Sequence, residues 1–232
     1  YNRLDPDERF ISTGQKLLLL TFNETSKYSG FSSLIYGSTE TPVALVSGPH
    51  SYSAIAKAEH ADRYVVQRST IQASELYVSN DLKEFTALTD IAAQQKEYNW
   101  LTVELVKWKM FDGKESEGLL YKPENFDPKK KYPVILYFYE RDADGLYNYR
   151  APAPSASTVN VPYFVSNGYL IFDPNIYYKN GEPGESAYNS VVSAAKMLAK
   201  LPYVDSSKMA IQGQSWGGYQ VAYLVTRTKM FA

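Results

Sequence analysis

Lys208-Met209-Ala210-Ile211-Gln212-Gly213-Gln214-Ser215-Trp216-Gly217-Gly218-Tyr219 reads as an apolar strand that runs into Gly-x-Ser-x-Gly and then into a helical pattern over 219–226. Serine chemistry needs this spacing for a steric reason. A serine on a tight strand-to-helix turn projects its hydroxyl above the sheet, and side chains two positions to either side would strike neighbouring backbone. Gly213 and Gly217 remove those side chains, and Gly218 is read as letting the helix pack closely. Ser215 is therefore the candidate nucleophile. The backbone N–H of Trp216, in the first turn of the helix, is a candidate donor to a developing oxyanion, because helix N-termini carry unpaired donors and the positive end of the dipole.

Working back from this turn, the chain alternates strand and helix. Glu185 to Leu201 places Val191, Val192, Ala195 and Leu198 at helical spacing, and Pro202 stops the run. Tyr169 to Phe172 is a buried strand, preceded by a short helix near 163–166 that ends at Asn167-Gly168. Val134 to Tyr139 is a continuous apolar run, as expected of a strand covered on both faces. Before it lies a hairpin, from Val103 through Asp112-Gly113 and back along Gly118 to Tyr121. Lys129-Lys130-Lys131 belongs to a solvated loop. This order predicts an open, mostly parallel sheet.

From Phe10 to Asp90 the texture is β. Ser33 to Tyr36 followed by Pro42 to Leu45 is echoed, about 41 to 43 residues on, by Ser74 to Tyr77 followed by Phe85 to Leu88. Leu17 to Phe22 and Arg63 to Gln67 precede the two echoes, so the region reads as a pair of divergent propeller blades, with a sandwich as the alternative. The polar connector Ala92 to Tyr98 puts the domain boundary at 92/93.

The chain has 232 residues, 44% of them hydrophobic, enough for one large or two modest cores. A net charge of −1 with interspersed signs gives no electrostatic reason to expect nucleic acid or an anionic membrane. The aliphatic run Leu17 to Leu20 is far too short to span a bilayer. With no cysteine, disulfides, thiolate zinc sites and cysteine nucleophiles are excluded. His50 and His60 lack a matched carboxylate set, so no metal site is expected, and Gly181-Glu182-Pro183-Gly184 lacks the glycine spacing of a nucleotide site. No cofactor is expected. Glu182, Glu185, Asp173 and Asp205 form no paired motif, and Asp205 reads as fixing the turn before the nucleophile strand. Asn23-Glu24-Thr25 is a glycosylation sequon, meaningful only in a eukaryotic secretory setting. The chain begins at Tyr1 rather than methionine and reads as a processed protein or internal fragment. The compartment stays open, with a periplasmic or exported bacterial location favoured over the cytoplasm.

Taken in order, Glu104-Leu105-Val106-Lys107-Trp108, Asp112-Gly113, Leu120-Tyr121-Lys122-Pro123, Tyr132-Pro133-Val134, Val204-Asp205 and the elbow resemble the prolyl oligopeptidase family of serine peptidases, nearest its dipeptidyl peptidase-like branch. The resemblance implies a mixed fold: the last blades of a β-propeller over 1–92, then the first part of an α/β-hydrolase domain over 93–232, cut after the nucleophile helix. It implies a peptide substrate held in a chamber between the two. Ser215 matches the family's nucleophile and Trp216 N–H one oxyanion donor. Tyr139, at the end of the first core strand, matches the tyrosine whose hydroxyl is the other. One departure is Glu140-Arg141-Asp142, where the family often continues with Gly-Gly-Pro. A homodimer of the intact protein is compatible with the resemblance.

A serine hydroxyl needs a base, and on this fold the acid and histidine follow the serine. Residues 216–232 contain no Asp, Glu or His. The expectation is thus a serine peptidase of dipeptidyl or prolyl type whose fragment, taken alone, is inactive. An esterase or acylaminoacyl peptidase is the alternative within the enzyme class, and a non-catalytic propeller-hydrolase binding protein the alternative outside it.

Overall fold

The computed structural model describes residues 1–5 and 7–232. The chain divides into two compact units, Tyr1–Gln95 with Tyr147–Tyr149, and Lys96–Leu146 with Arg150–Ala232.

The first unit is antiparallel β. Strands β1 (Lys16–Phe22), β2 (Ser29–Ile35) and β3 (Val43–Gly48) form one sheet. Strands β4 (Ser51–Lys57), β5 (Tyr64–Ser69), β6 (Glu75–Ser79) and β7 (Thr86–Ala87) form a second, each pairing with the next. A four-stranded antiparallel meander is the arrangement of a propeller blade. The two sequence echoes fall on β2–β3 and β6–β7, with β1 and β5 ahead of them. Strand β4 escaped the sequence reading because Ser51, Ser53 and Ala54 dilute its apolar alternation. Glycine is obligatory at Gly30, where a Cβ would lie 1.9 Å from the Val46 carbonyl oxygen across the β2–β3 bulge. Leu18, Phe31, Tyr52, Val66 and Leu82 pack together inside this unit.

The second unit is built on a five-stranded sheet. β8 (Leu101–Lys109) and β9 (Glu115–Pro123) are the expected hairpin, its turn carrying Gly113 at φ +83°. β10 (Tyr132–Tyr137), β11 (Leu170–Pro174) and β12 (Val204–Gln212) complete the order β12-β10-β11-β9-β8. β10 runs parallel to both β11 and β12, whereas β9 is antiparallel to β11 and to β8. The sheet is therefore mixed rather than mostly parallel. The physical reason is the hairpin: a tight turn forces β8 and β9 antiparallel, and β9 then joins the parallel part along β11 in the opposite sense. Every residue of β11 is buried, the apolar run Leu170 to Phe172 and Asp173 after it.

Helix α1 (Val161–Ser166) is capped by the Asn160 side chain, which accepts from the Tyr163 N–H at 3.3 Å. α2 (Pro183–Ala187) passes through a π-helical turn at Tyr188–Val192 into α3 (Ser193–Leu198). Ser193 lies where that wider turn closes. Its hydroxyl donates to the Asn189 carbonyl at 2.5 Å and accepts from the Trp108 indole at 2.9 Å, fastening the helix to β8. α4 (Trp216–Val225) follows β12 through the serine turn. Val134, Leu136, Leu170, Phe172, Val191, Leu198, Met209 and Leu224 form the core between sheet and helices. Among the described residues no helix is long and apolar enough to cross a membrane.

Candidate functional site

β12 carries Ser215 to the end of the sheet. Before it, the β10–β12 pairing breaks between Val204 and Met209, and Asp205 organises the break by accepting from Ser207 N–H at 3.1 Å and Oγ at 2.6 Å. Ser215 caps α4 with φ +54° and ψ −113°, and its side chain makes no capping hydrogen bond. These angles belong to the first central position of a type II′ turn, which glycine normally fills. For a residue with a Cβ they cost about 1–3 kcal/mol. The side chain is exposed, so its hydroxyl is free to meet a ligand.

The two flanking glycines are sterically required. A Cβ on Gly213 would lie 2.4 Å from the Gly217 carbonyl carbon and oxygen, and one on Gly217 would lie 2.5 Å from the Phe138 carbonyl oxygen. Gly218 is different. A Cβ there meets only the Gly213 oxygen at 3.5 Å, an ordinary contact, so close helix packing does not depend on this residue, contrary to the sequence reading.

The same close approach brings Tyr139 beside the turn. Phe138 N–H donates to Gln212 O at 3.3 Å, and the Tyr139 Cα lies 3.9 Å from the point a Gly217 Cβ would occupy. Tyr139 stands two residues past the end of β10 rather than closing it, and its side chain is 41% exposed. Trp216 opens α4, while the next N–H, of Gly217, is taken by Gln214 O at 2.9 Å. Ser215, Trp216 and Tyr139 thus sit on adjoining backbone.

Three further residues hold this arrangement, none of them picked out in the sequence. Gln220 is fully buried in α4, and its Nε2 donates to the Tyr139 carbonyl at 3.1 Å and to the Tyr178 hydroxyl. Tyr178 donates to the Tyr139 carbonyl at 3.2 Å and accepts from the Trp216 indole N–H at 2.8 Å. Burial raises the Tyr178 pKa, so the hydroxyl keeps its proton through neutral pH. Asn175 accepts from Ala143 N–H at 2.9 Å, and its neighbour Ile176 donates to Glu140 O at 2.7 Å, so the loop without Gly-Gly-Pro is pinned by the β11–α2 connection. A signal for Gln220 did exist: Gly217, Gln220 and Leu224 are spaced as the buried stripe of a helix, and an amide on that stripe needs partners.

The remaining acidic candidates have structural partners. Glu182 pairs with Lys179 at 2.7 Å, and Glu185 lies 3.6 Å from Arg227 and accepts from Tyr223. Asp173 is buried 3.5 Å from Arg150, with one carboxylate oxygen lacking a partner, and burial holds its pKa well above the usual aspartate range. Arg150 donates to the Tyr121 hydroxyl at 3.2 Å, and burial pushes that phenol up to about 12. Both histidines lie in the first unit. His50 is half-buried edge-on to Tyr52, with its pKa lowered by burial and by Arg68, and His60 is exposed beside Glu59.

Fold and turn together define a class, that of proteins whose mixed α/β unit, preceded in the chain by antiparallel β sheets, presents a strained serine between glycines. Residues 154–232 match the sequence model of the "Prolyl oligopeptidase family". A relative from Ajellomyces capsulatus named "Probable dipeptidyl-aminopeptidase B" is 35% identical over 115 residues, covering 47% of this chain and 12% of the relative. The dipeptidyl peptidase 4 structure from Porphyromonas gingivalis shares the fold over 95% of this chain and 33% of its own, with a TM-score of 0.66 at 19% identity. An uncomplexed acylaminoacyl peptidase from Pyrococcus horikoshii shares it over 93% of this chain and 34% of its own, with a TM-score of 0.66 at 22% identity. The chain thus spans about a third of the length of these solved structures.

Proposed function

We propose that this chain is part of a serine peptidase that cleaves short peptides, of dipeptidyl or prolyl type, through an acyl-enzyme at Ser215. The observation that carries the reading is the exposed Ser215 at φ +54°, wedged between Gly213 and Gly217, which have no room for a side chain. The Ser215 oxygen attacks the scissile carbonyl and passes its proton to a base. The C–N bond then breaks, the amine leaves with that proton, and water releases the acyl group. Trp216 N–H and the Tyr139 hydroxyl stabilise the tetrahedral oxyanion, the kind of contribution that mutagenesis values at about 10²–10³ in kcat per donor. The second unit has no histidine, so it does not itself supply the base.

The name of the Ajellomyces relative favours a dipeptidyl product. The likeness to the Pyrococcus peptidase supports an acylaminoacyl specificity as the second reading. Treating the intact protein with a fluorophosphonate probe is expected to label Ser215, with Ser215→Ala losing the label. Folded intact protein that stays unlabelled would falsify the enzyme reading. Comparing Gly-Pro and N-acetyl-alanyl chromogenic amides separates the two specificities.

A further inference from the structure

Gln220 poses a question that the proposed chemistry leaves open. It is fully buried in α4, and its Oε1 has no hydrogen-bond partner. Burying an amide with an unsatisfied oxygen is costly, and a leucine of similar size would fill the same space without that penalty. What the amide gains lies on its other atom. Both Nε2 protons are used, one on the Tyr139 carbonyl and one on the Tyr178 hydroxyl.

Tyr178 makes the complementary contacts. A phenol has one proton to give and lone pairs to receive. Its proton goes to the Tyr139 carbonyl at 3.2 Å, and its oxygen receives the Trp216 indole at 2.8 Å as well as Gln220. One hydroxyl therefore bridges the two residues that would face an oxyanion, Tyr139 on the segment after β10 and Trp216 at the head of α4. The backbone alone leaves Tyr139 loosely tied. It lies past the end of β10, and the neighbouring tether, Ile176 N–H to Glu140 O at 2.7 Å, holds the next residue instead.

We infer that Tyr178 and Gln220 are positioning residues that lock the Tyr139 and Trp216 donors into one fixed oxyanion-binding geometry. The inference rests on the reading of Ser215 as nucleophile. Its physical basis is preorganisation: donors aimed at developing charge are effective to the degree that they need not move when the charge appears, and misplacement by about 1 Å can cost about 100-fold. The clamp acts on the transition state. Its hydrogen bonds go to Tyr139 and Trp216 rather than to the serine, so its loss is felt in kcat.

The test uses the intact protein with Tyr178→Phe, which keeps the ring, and Gln220→Leu, which keeps the bulk. Turnover of Gly-Pro-p-nitroanilide and of N-acetyl-alanyl-p-nitroanilide is measured for each, together with affinity for a dipeptidyl boronic acid whose tetrahedral adduct occupies the oxyanion site. The expected result is a kcat loss of about 10- to 100-fold with KM within about twofold, on whichever amide the protein cleaves. Boronate affinity should fall by the same factor, and the double variant should be no worse than the more damaged single one, because both act through one carbonyl. Two results overturn the clamp in a protein whose Ser215 is labelled by fluorophosphonate. One is kcat and boronate affinity within about twofold of wild type. The other is a loss that appears in KM or follows a lowered melting temperature, as a purely structural role predicts. If wild-type Ser215 is itself unlabelled, it is the nucleophile reading that fails, and the two failures are told apart.

Discussion

Leu82 in the first unit and Ser215 in the second both hold left-handed backbone, at φ +58° and +54°. Their surroundings differ. Leu82 is 2% exposed and packs against Leu18, Phe31, Tyr52 and Val66. Its N–H is held by Ser79 Oγ at 2.8 Å, and Asp81 caps the same turn by accepting from Lys83 N–H at 2.9 Å and Glu84 N–H at 3.1 Å. The strain there is offset by the residue's own burial. Ser215 buries nothing and makes no cap, and its angles are imposed by the contact of Gly213 with Gly217 and of Gly217 with Phe138. A strained residue that stabilises itself serves the fold, whereas one held only by its neighbours is available for chemistry.

The largest effect is expected from attacking the wedge. Gly217→Ala would push a methyl against the Phe138 carbonyl at 2.5 Å, where backbone has to move. Loss of about 3 kcal/mol in chemical denaturation and about 100-fold or more in kcat/KM should follow. A variant with wild-type activity would show that the wedge does not set the serine. Leu82→Gly relieves the same angle but removes a buried side chain, so denaturation should report a loss of about 2 kcal/mol or more. Ser215→Gly should have the opposite sign and gain about 1 kcal/mol while abolishing activity, and Ser215→Ala, which keeps a Cβ, should gain nothing. If Leu82→Gly and Ser215→Gly shift stability in the same direction, the contrast between the two sites is lost.

Gly218→Ala should stabilise α4 by about 0.5–1 kcal/mol, since the new methyl meets only an ordinary contact and alanine is the better helix former. The smallest effect concerns pH. Hydrogen bonds from Lys83 and Glu84 N–H lower the Asp81 pKa, so the turn's contribution is fully present above the unfolded aspartate pKa of about 3.9 and is lost as pH falls through the lower folded value. Asp81→Asn should flatten the acid side of the stability profile, and the elbow, which has no carboxylate cap, should leave no matching slope.

Much of the second unit was legible, because its elements are local. The apolar runs at Val134 and Leu170, the Asp112-Gly113 turn and the Pro202 stop each act within a few residues. The sheet was misjudged as mostly parallel because strand direction beyond a hairpin depends on which edge receives it, and nothing between Pro123 and Tyr132 encodes that choice. Gly218 was misjudged for a related reason. A glycine's necessity depends on what stands opposite its Cα, and opposite Gly218 there is only a carbonyl at contact distance. Strand β4 and the capped turn at Leu82 were hidden by small polar residues whose role is to bond backbone rather than to alternate.

The sequence alone determined the elbow. Gly-x-Ser-x-Gly between an apolar strand and a helix is a steric instruction carried by five adjacent residues, and backbone sterics act over that range. The fastening of Tyr139 and Trp216 by Tyr178 and Gln220 was decided only by tertiary structure. These residues lie 38 to 81 positions from the groups they bond, and their hydrogen bonds exist only after β10, β11 and β12 have packed side by side. Until the fold closes, a tyrosine among 21 and a glutamine on a helix carry no sign of which carbonyl they will hold.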